Sequence, residues 1–174
     1  MSDLDAAAIG SVAYVVGGYN GSVPNREIYA VRADGTVTRV GSIPVGVRYP
    51  AAAALDGRLI IAGGETTSGE PTAAAWSFDP GTRRVQRIAD LPAPTDHTAG
   101  AVVDGRFYVI GGLRRGVLTD ALLSWAPGQS RWRSAGRIPL PLSDLSAVPF
   151  DGGIAVLGGR GSAGTVSSVT VMRP

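Results

Sequence analysis

Short runs of apolar residues recur along the chain, and four of these runs end in a pair of glycines. The pairs lie 46, 48 and 47 residues apart, a spacing that indicates repeated structural units. The pairs are Gly17 and Gly18, Gly63 and Gly64, Gly111 and Gly112, and Gly158 and Gly159. We therefore divide one domain, residues 1–174, into units at about 2–47, 48–95, 96–142 and 143–174.

Each unit is predicted to contain short strands and no helix. In the second unit, the apolar run 50–55 leads through Asp56 and Gly57 into the run 58–62, and Asp-Gly between apolar runs is a strong hairpin signal. A polar loop then precedes two further strands. The strands predicted in the two central units span residues 50–55, 58–62, 73–78, 84–89, 98–103, 106–110, 120–125 and 131–138. With no helical periodicity in the chain, the pattern predicts an all-β protein.

The last unit differs, because its pattern gives strands only over 145–150, 154–157 and 166–172. The sequence therefore predicts three complete four-stranded units and a three-stranded fourth unit.

Aromatic residues and Leu-Pro or Ile-Pro steps recur at fixed distances from the glycine pairs. Tyr14 and Tyr108 stand three positions before a pair, and Phe78 and Trp125 follow in the third strand. This pattern resembles the kelch motif, from which Val31, Val37 and Val85 depart. The resemblance covers essentially the whole chain. It implies a kelch-type β-propeller, in which the glycine pairs allow close backbone packing and Trp76, Trp125 and Trp132 pack between blades.

Propellers of the family that the sequence resembles usually close with six or seven blades. Three full blades and part of a fourth would leave apolar sheet faces uncovered. We therefore expect that the chain either self-associates into a larger ring or forms part of a longer propeller.

Composition excludes several function classes. The 16 basic residues, all Arg, nearly balance 14 acidic residues and form no polybasic run, so neither nucleic acid nor an anionic membrane is an expected partner. The apolar runs are too short to span a bilayer, so membrane insertion is not expected. Without Cys and with a single His, the sequence predicts no metal site, no thiolate nucleophile and no cofactor. No signal peptide is visible, so a cytoplasmic location is expected, or an extracellular one if the chain is a segment of a longer protein.

Strand direction gathers the irregular loops at one end of the predicted propeller, which we call the loop face, and the short turns at the other. Binding residues are usually carried on such loops. Aligning the units at their first turns places Ser2, Arg48, Asp96 and Ser143 at one position, followed by Asp3, Tyr49, His97 and Asp144. The candidate ligand-binding residues around this rim are Tyr19, Asn20, Arg48, Tyr49, Glu65, Asp96, His97, Arg114, Asp144 and Arg160.

Each candidate also has a structural explanation. Asp96 and Asp144 would then satisfy backbone amides, the Arg side chains would be solvated, and His97 would be an ordinary loop histidine. No residue is predicted to be catalytic.

Three functions remain open from the sequence. The first is a binding module that recognises a peptide, an acidic group or a sugar, since Arg binds carboxylates in a bidentate manner. The second follows from the resemblance, because some bacterial kelch proteins act as sialic-acid mutarotases, and Glu65, His97, Arg48 and Arg160 are the matching acid–base and Arg candidates. The third is a purely structural repeat within a larger protein.

Overall fold

The chain, described over residues 1–174 in a computed structural model, forms four antiparallel sheets with no helix. We number the sheets as blades 1 to 4 in chain order. Blade 1 contains β1 (Ser2–Ile9), β2 (Val12–Tyr19), β3 (Glu27–Val31) and β4 (Val37–Ser42). Blade 2 contains β5 (Ala51–Leu55), β6 (Arg58–Ala62), β7 (Ala75–Asp79) and β8 (Arg84–Arg87).

Blades 3 and 4 carry an additional two-stranded hairpin in their loops. Blade 3 contains β9 (Ala99–Val103), β10 (Arg106–Ile110), β13 (Ala121–Trp125) and β14 (Arg133–Arg137), with a hairpin of β11 (Leu113–Arg114) and β12 (Val117–Leu118). Blade 4 contains β15 (Ser146–Phe150), β16 (Gly153–Leu157) and β19 (Val169–Met172), with a hairpin of β17 (Arg160–Gly161) and β18 (Gly164–Thr165). The expected pattern of three four-stranded sheets and one three-stranded sheet is confirmed.

The predicted turns are present, but several strand ends differ from the prediction. Asp56 and Gly57 have φ angles of 49° and 72°, which is the conformation of a type I′ hairpin turn. Strand β7 begins at Ala75 rather than at residue 73, because the side chain of Thr72 accepts the Ala74 amide at 3.1 Å and forms a local turn. Strands β8, β14 and β19 are likewise shorter than predicted, and the hairpins β11–β12 and β17–β18 were predicted as plain loops.

Apolar residues form three cores, each between two consecutive blades. We call the side of a blade that faces the next blade its leading face and the opposite side its trailing face. In blade 2, Ala53, Ile60 and Ala75 belong to the leading face and Leu59, Ile61 and Trp76 to the trailing face. The first core includes Val16, Ile28, Leu59, Ile61, Trp76 and Phe78, the second Ala53, Ile60, Phe107, Val109, Trp125 and Trp132, and the third Tyr108, Ile110, Leu122, Ile138, Ile154 and Val156.

No corresponding core joins blade 4 to blade 1. The three Trp side chains are buried in the first and second cores, which confirms the predicted packing between blades.

The innermost strands are built from small residues and surround a central channel. One cavity of about 330 Å³ is lined by residues 6–8 of β1, 52–54 of β5, 100–102 of β9 and 147–149 of β15. At Gly100 a Cβ atom would lie 2.7 Å from the carbonyl oxygen of Ala52. Small side chains at these positions therefore allow neighbouring inner strands to approach closely.

The glycine pairs determine the backbone packing at the loop face. Gly64 has a φ of 101°, and a Cβ atom there would lie 2.9 Å from the carbonyl oxygen of Arg48. Its amide donates to the carbonyl of Thr95 at 2.9 Å, in the segment that leads to the next blade. In blades 1 to 3 the second glycine of each pair thus packs closely against the segment that enters its own first strand and donates its amide to the following linker. The close backbone packing at the glycine pairs is the packing that the sequence predicted. No helix in the structure could cross a bilayer.

Candidate functional site

A ladder of backbone hydrogen bonds links the four blades at the loop face. The amide of Tyr49 donates to the carbonyl of Asp3 at 2.8 Å, that of His97 to Tyr49 at 3.1 Å, and that of Asp144 to His97 at 3.1 Å. All four residues have positive φ angles, of 59°, 54°, 52° and 53° in chain order. We call these four residues the rim ladder. The structure therefore brings together the residues that the alignment of the repeats placed at one position.

Left-handed backbone is unfavourable for residues with a side chain, especially for Tyr. Each such residue costs about 1 kcal/mol or more, and such strain is concentrated at functional sites. The inter-blade hydrogen bonds offset this conformational cost. The left-handed conformation also places Tyr49 and His97 at the mouth of the channel.

The aromatic rings of the rim ladder stack. The rings of Tyr49 and His97 are parallel within 19°, with centroids 3.7 Å apart. The guanidinium of Arg48 lies 5.3 Å from the ring centroids of both Tyr49 and Tyr19. Arg48 also donates to Glu65 Oε1 from Nε at 3.0 Å and from Nη2 at 2.5 Å. The charge of Arg48 is thus already balanced by Glu65.

Carboxylates flank His97 on both sides. Its Nδ1 lies 3.1 Å from Asp96 Oδ1, and its Nε2 lies 3.9 Å from Asp144 Oδ1. Burial disfavours the imidazolium, but the hydrogen bond to Asp96 and the nearby negative charges outweigh burial and raise the pKa of His97.

The neighbouring acids are held by different contacts. Asp96 is buried and contacts His97, and Asp144 accepts a hydrogen bond from the hydroxyl of Ser143 at 2.9 Å. Neither side chain caps a backbone amide, so the structural role that the sequence left open for these two residues is not the one they have.

A further acid of the site lies on the innermost strand of blade 1. Asp5, on β1, accepts the backbone amide of Ala52 at 2.6 Å and that of Ala6 at 2.8 Å. Burial raises the pKa of Asp5 to about 6, even though both hydrogen bonds favour the charged form. This carboxyl is therefore divided between its protonated and ionised forms near pH 6.

Three adjoining cavities open around His97. One polar pit, of about 390 Å³, is lined by Asp3, Asp5, Tyr49, His97 and Asp144, together with inner-strand residues, and we call it the central pit. A side cavity of about 300 Å³ continues past His97 and Asp144 to Arg160, and another of about 440 Å³ reaches Glu65 and Arg115.

The remaining sequence candidates divide into two groups. Arg160 is exposed, forms no ion pair and lines a side cavity next to His97. Tyr19 packs beneath Arg48, and Asn20 accepts the amides of Ser22 and Val23 within its own exposed loop. Arg114 lies in β11 with a buried Nε that has no hydrogen-bond partner, and it lines none of the three cavities.

Asp5 was missed among the candidates, although the sequence carries a signal for it. At this position the other three units have Ala51, Ala99 and Ser146. An acid among small residues on an inner strand is unusual, because its charge faces the crowded centre of the ring. That contrast between repeats could have identified Asp5.

Four antiparallel sheets arranged around a channel, with polar loops at one end, define a β-propeller arrangement. No protein-family model and no curated protein sequence matches the chain. Among solved structures, the chain is similar to YjhT, with a TM-score of 0.69 over 98% of this chain and 81% of that chain. The sequences are 13% identical, so the similarity extends to the fold alone.

Proposed function

We propose that the protein is a kelch-repeat binding module whose central pit holds a small, hydroxyl-rich ligand such as a sugar. The observation that carries this proposal is the stacked pair of Tyr49 and His97, flanked by the carboxylates of Asp3, Asp5 and Asp144 in one pit. A volume of about 390 Å³ lies within the usual range for small-molecule sites.

The chemistry of the pit favours hydroxyl groups over an acid. Carboxylates accept hydrogen bonds, so Asp3, Asp5 and Asp144 offer acceptors to several hydroxyl groups of one ligand. Arg48, the guanidinium nearest the rim ladder, is already engaged by Glu65. An acidic group would therefore meet mainly negative charge in the central pit.

Arg160 offers a separate place for an acidic substituent. It forms no ion pair, and it lines a cavity that shares His97 and Asp144 with the central pit. A sugar in the pit that carries a carboxylate could direct that group toward Arg160, where a guanidinium binds it with two parallel hydrogen bonds.

Binding of methyl β-galactoside, a neutral sugar that cannot open its ring, tests the proposal. We expect saturation-transfer NMR to detect binding, and we expect Asp144→Asn to weaken it about tenfold, the effect of losing one charged hydrogen bond. Tyr49→Ala should also weaken binding, because it removes the ring that stacks on His97. The matched control is Asp104→Asn, because Asp104 also has a positive φ, of 48°, but lies in a turn at the opposite end. This control should bind like the wild type.

A parallel titration with N-acetylneuraminic acid separates neutral from acidic ligands. If this ligand binds more tightly than the neutral sugar and the gain disappears in Arg160→Gln, the acid-binding role belongs to Arg160. Loss of affinity in Asp104→Asn, or equal affinity in Tyr49→Ala and the wild type, would contradict the assignment to the central pit.

A second candidate function is acid–base catalysis of sugar interconversion in the same pit. It is favoured by one observation: Asp5, with a pKa of about 6, and His97 line one cavity. In mutarotation one group removes the proton of the anomeric hydroxyl while another protonates the ring oxygen. The ring C–O bond then breaks, and closure on the other face of the aldehyde gives the other anomer.

The rate of anomer exchange of free galactose tests this candidate. We expect the wild type and Asp104→Asn to accelerate exchange, and Asp5→Asn to lose that acceleration while binding methyl β-galactoside detectably but more weakly than the wild type. If the wild type binds the methyl glycoside but leaves the exchange rate at the buffer value, the binding proposal stands and the catalytic candidate fails.

A further inference from the structure

The leading face of blade 4 is apolar and uncovered. Five large side chains are exposed there, on all three strands of the sheet. They are Val148 and Phe150 of β15, Leu157 of β16, and Val169 and Val171 of β19. The cross-strand pairing of Leu157 with Val169 shows that these two side chains share one face.

The same positions are fully covered in the other blades. Val169 lies opposite Leu157 as Leu122 lies opposite Ile110 in blade 3. Leu122 and Ile110 are both 0% exposed, whereas Val169 and Leu157 are 63% and 37% exposed. The difference arises because the next blade covers blade 3, and no blade covers blade 4.

The trailing face of blade 1 also has exposed apolar residues that no other blade covers. Val37 pairs with Val31 and is 60% exposed, whereas Val85, which pairs with Phe78 in blade 2, packs against the first core. Leu4 is also exposed, whereas Pro50 at the same position of blade 2 is buried. The chain thus carries one uncovered face of each kind.

The rim ladder also ends at blade 4 with a backbone carbonyl that has no partner. The carbonyls of Asp3, Tyr49 and His97 each accept the amide of the following blade. The carbonyl of Asp144 accepts no backbone amide, so it stands ready for the equivalent amide of a further blade. In blade 1, the backbone amide equivalent to those of Tyr49, His97 and Asp144 is the amide of Asp3.

We propose that a second copy of this chain packs the trailing face of its blade 1 on the leading face of blade 4. Every inter-blade core within the chain already joins a leading face to a trailing face. The proposed contact is therefore of the same kind as the three interfaces between consecutive blades. Such a head-to-tail contact joins two different surfaces of the same chain. It also brings the Asp3 of the second copy beside Asp144, which extends the rim ladder and the central pit.

The mass of the full chain in solution tests the proposal. By light scattering after size exclusion we expect a multiple of 17.8 kDa for the wild type at micromolar concentration. Val169→Arg places a charge on the leading face of blade 4, and Val37→Arg does the same on the trailing face of blade 1. Each variant alone should run as the monomer, because burying an unpaired charge opposes the contact.

Mixing the two variants gives the sharper result. Val169→Arg retains an intact blade 1 face and Val37→Arg an intact blade 4 face, so an equimolar mixture should form a dimer that neither variant forms alone. The matched control is Val117→Arg, since Val117 is 68% exposed in the loop hairpin of blade 3 and lies on neither face. This control should associate like the wild type, with circular dichroism showing that all variants remain folded.

A wild-type monomer would overturn the proposal, and so would association that survives in Val169→Arg. A mixture of the two variants that stays monomeric would overturn the head-to-tail arrangement, because an intact face of each kind is then present and does not bind.

Discussion

Asp5 shows how a single side chain couples the site to stability. Its pKa is raised from 3.8 to about 6, mainly by burial, so the folded protein holds a proton that the unfolded chain has already released. Between these two pH values the folded state binds more protons than the unfolded state. Stability from this group is therefore present at low pH and decreases as pH rises through about 6.

We expect Asp5→Asn to remove this decrease in folding stability with rising pH. A difference of about two pKa units corresponds to roughly 3 kcal/mol at most. Urea unfolding at several pH values between about 4 and 7 should show the free energy of unfolding of the wild type declining relative to that of Asp5→Asn. Parallel curves for the two proteins would contradict the assignment of a raised pKa to this carboxyl.

His97 acts in a different pH window. Its pKa is raised above 6.5 in the folded protein, so its contribution is complete below 6.5 and is lost as pH rises through the folded value. The decline that remains in Asp5→Asn should therefore begin only above about pH 6.5, which separates the two groups within one experiment.

At the scale of elements, one side chain joins blade 3 to blade 2. Trp132, which precedes β14, is buried in the second core, and its indole donates to the carbonyl of Ala89 at 2.8 Å. Its ring also contacts Phe107 edge-on, with centroids 5.7 Å apart. Trp125 instead donates to Gln129 of its own blade, so only Trp132 spans the two blades by its hydrogen bond.

We expect Trp132→Ala to reduce the free energy of unfolding by about 3–5 kcal/mol, as is usual when a buried aromatic ring is removed. Trp132→Phe keeps most of the packing but leaves the Ala89 carbonyl without its donor, at about 1–2 kcal/mol. Chemical denaturation measures both changes, with the exposed Leu140→Ala as the control. Equal losses in Trp132→Phe and Trp132→Ala would assign the whole effect to the hydrogen bond.

At the scale of the whole molecule, the blades are unequally supported. Blades 2 and 3 pack on both faces, whereas blades 1 and 4 each contribute to one core. Repeat structures derive much of their stability from contacts between neighbouring units, so local opening is easiest in units with one neighbour.

We expect amide hydrogen exchange in monomeric Val169→Arg to be faster in blades 1 and 4 than in the central strands β6 and β10. In the wild type, association should slow exchange in both blade 1 and blade 4. Uniform exchange over the four blades would show instead that the chain opens as one cooperative unit.

The sequence predicted more of the fold than of the site. The 46- to 48-residue spacing, the Asp-Gly turns and the glycine pairs located most strands within two residues, because each signal acts locally in the backbone. The hairpin β11–β12 escaped prediction because two-residue strands carry no periodic pattern. Strand β7 began late because the Thr72 side chain, rather than strand propensity, determined the local backbone.

Within the site, alignment of the repeats placed Asp3, Tyr49, His97 and Asp144 at one position. Alignment could not show that Glu65 neutralises Arg48, since that pairing depends on a loop packing against the linker 17 residues earlier in the chain. Nor could it show that Asn20 binds its own loop.

The sequence by itself determined the number of blades, the order of their strands and the end of the ring that carries polar loops, because these follow from short-range patterns repeated along the chain. Only the tertiary structure decided the raised pKa of Asp5, the stacking of Tyr49 on His97 and which side chains of the uncovered blade 4 face are exposed. Each of these depends on groups 40 or more residues apart or on the absence of a neighbouring blade, and the free energies of burial and charge are set by what surrounds a residue in space.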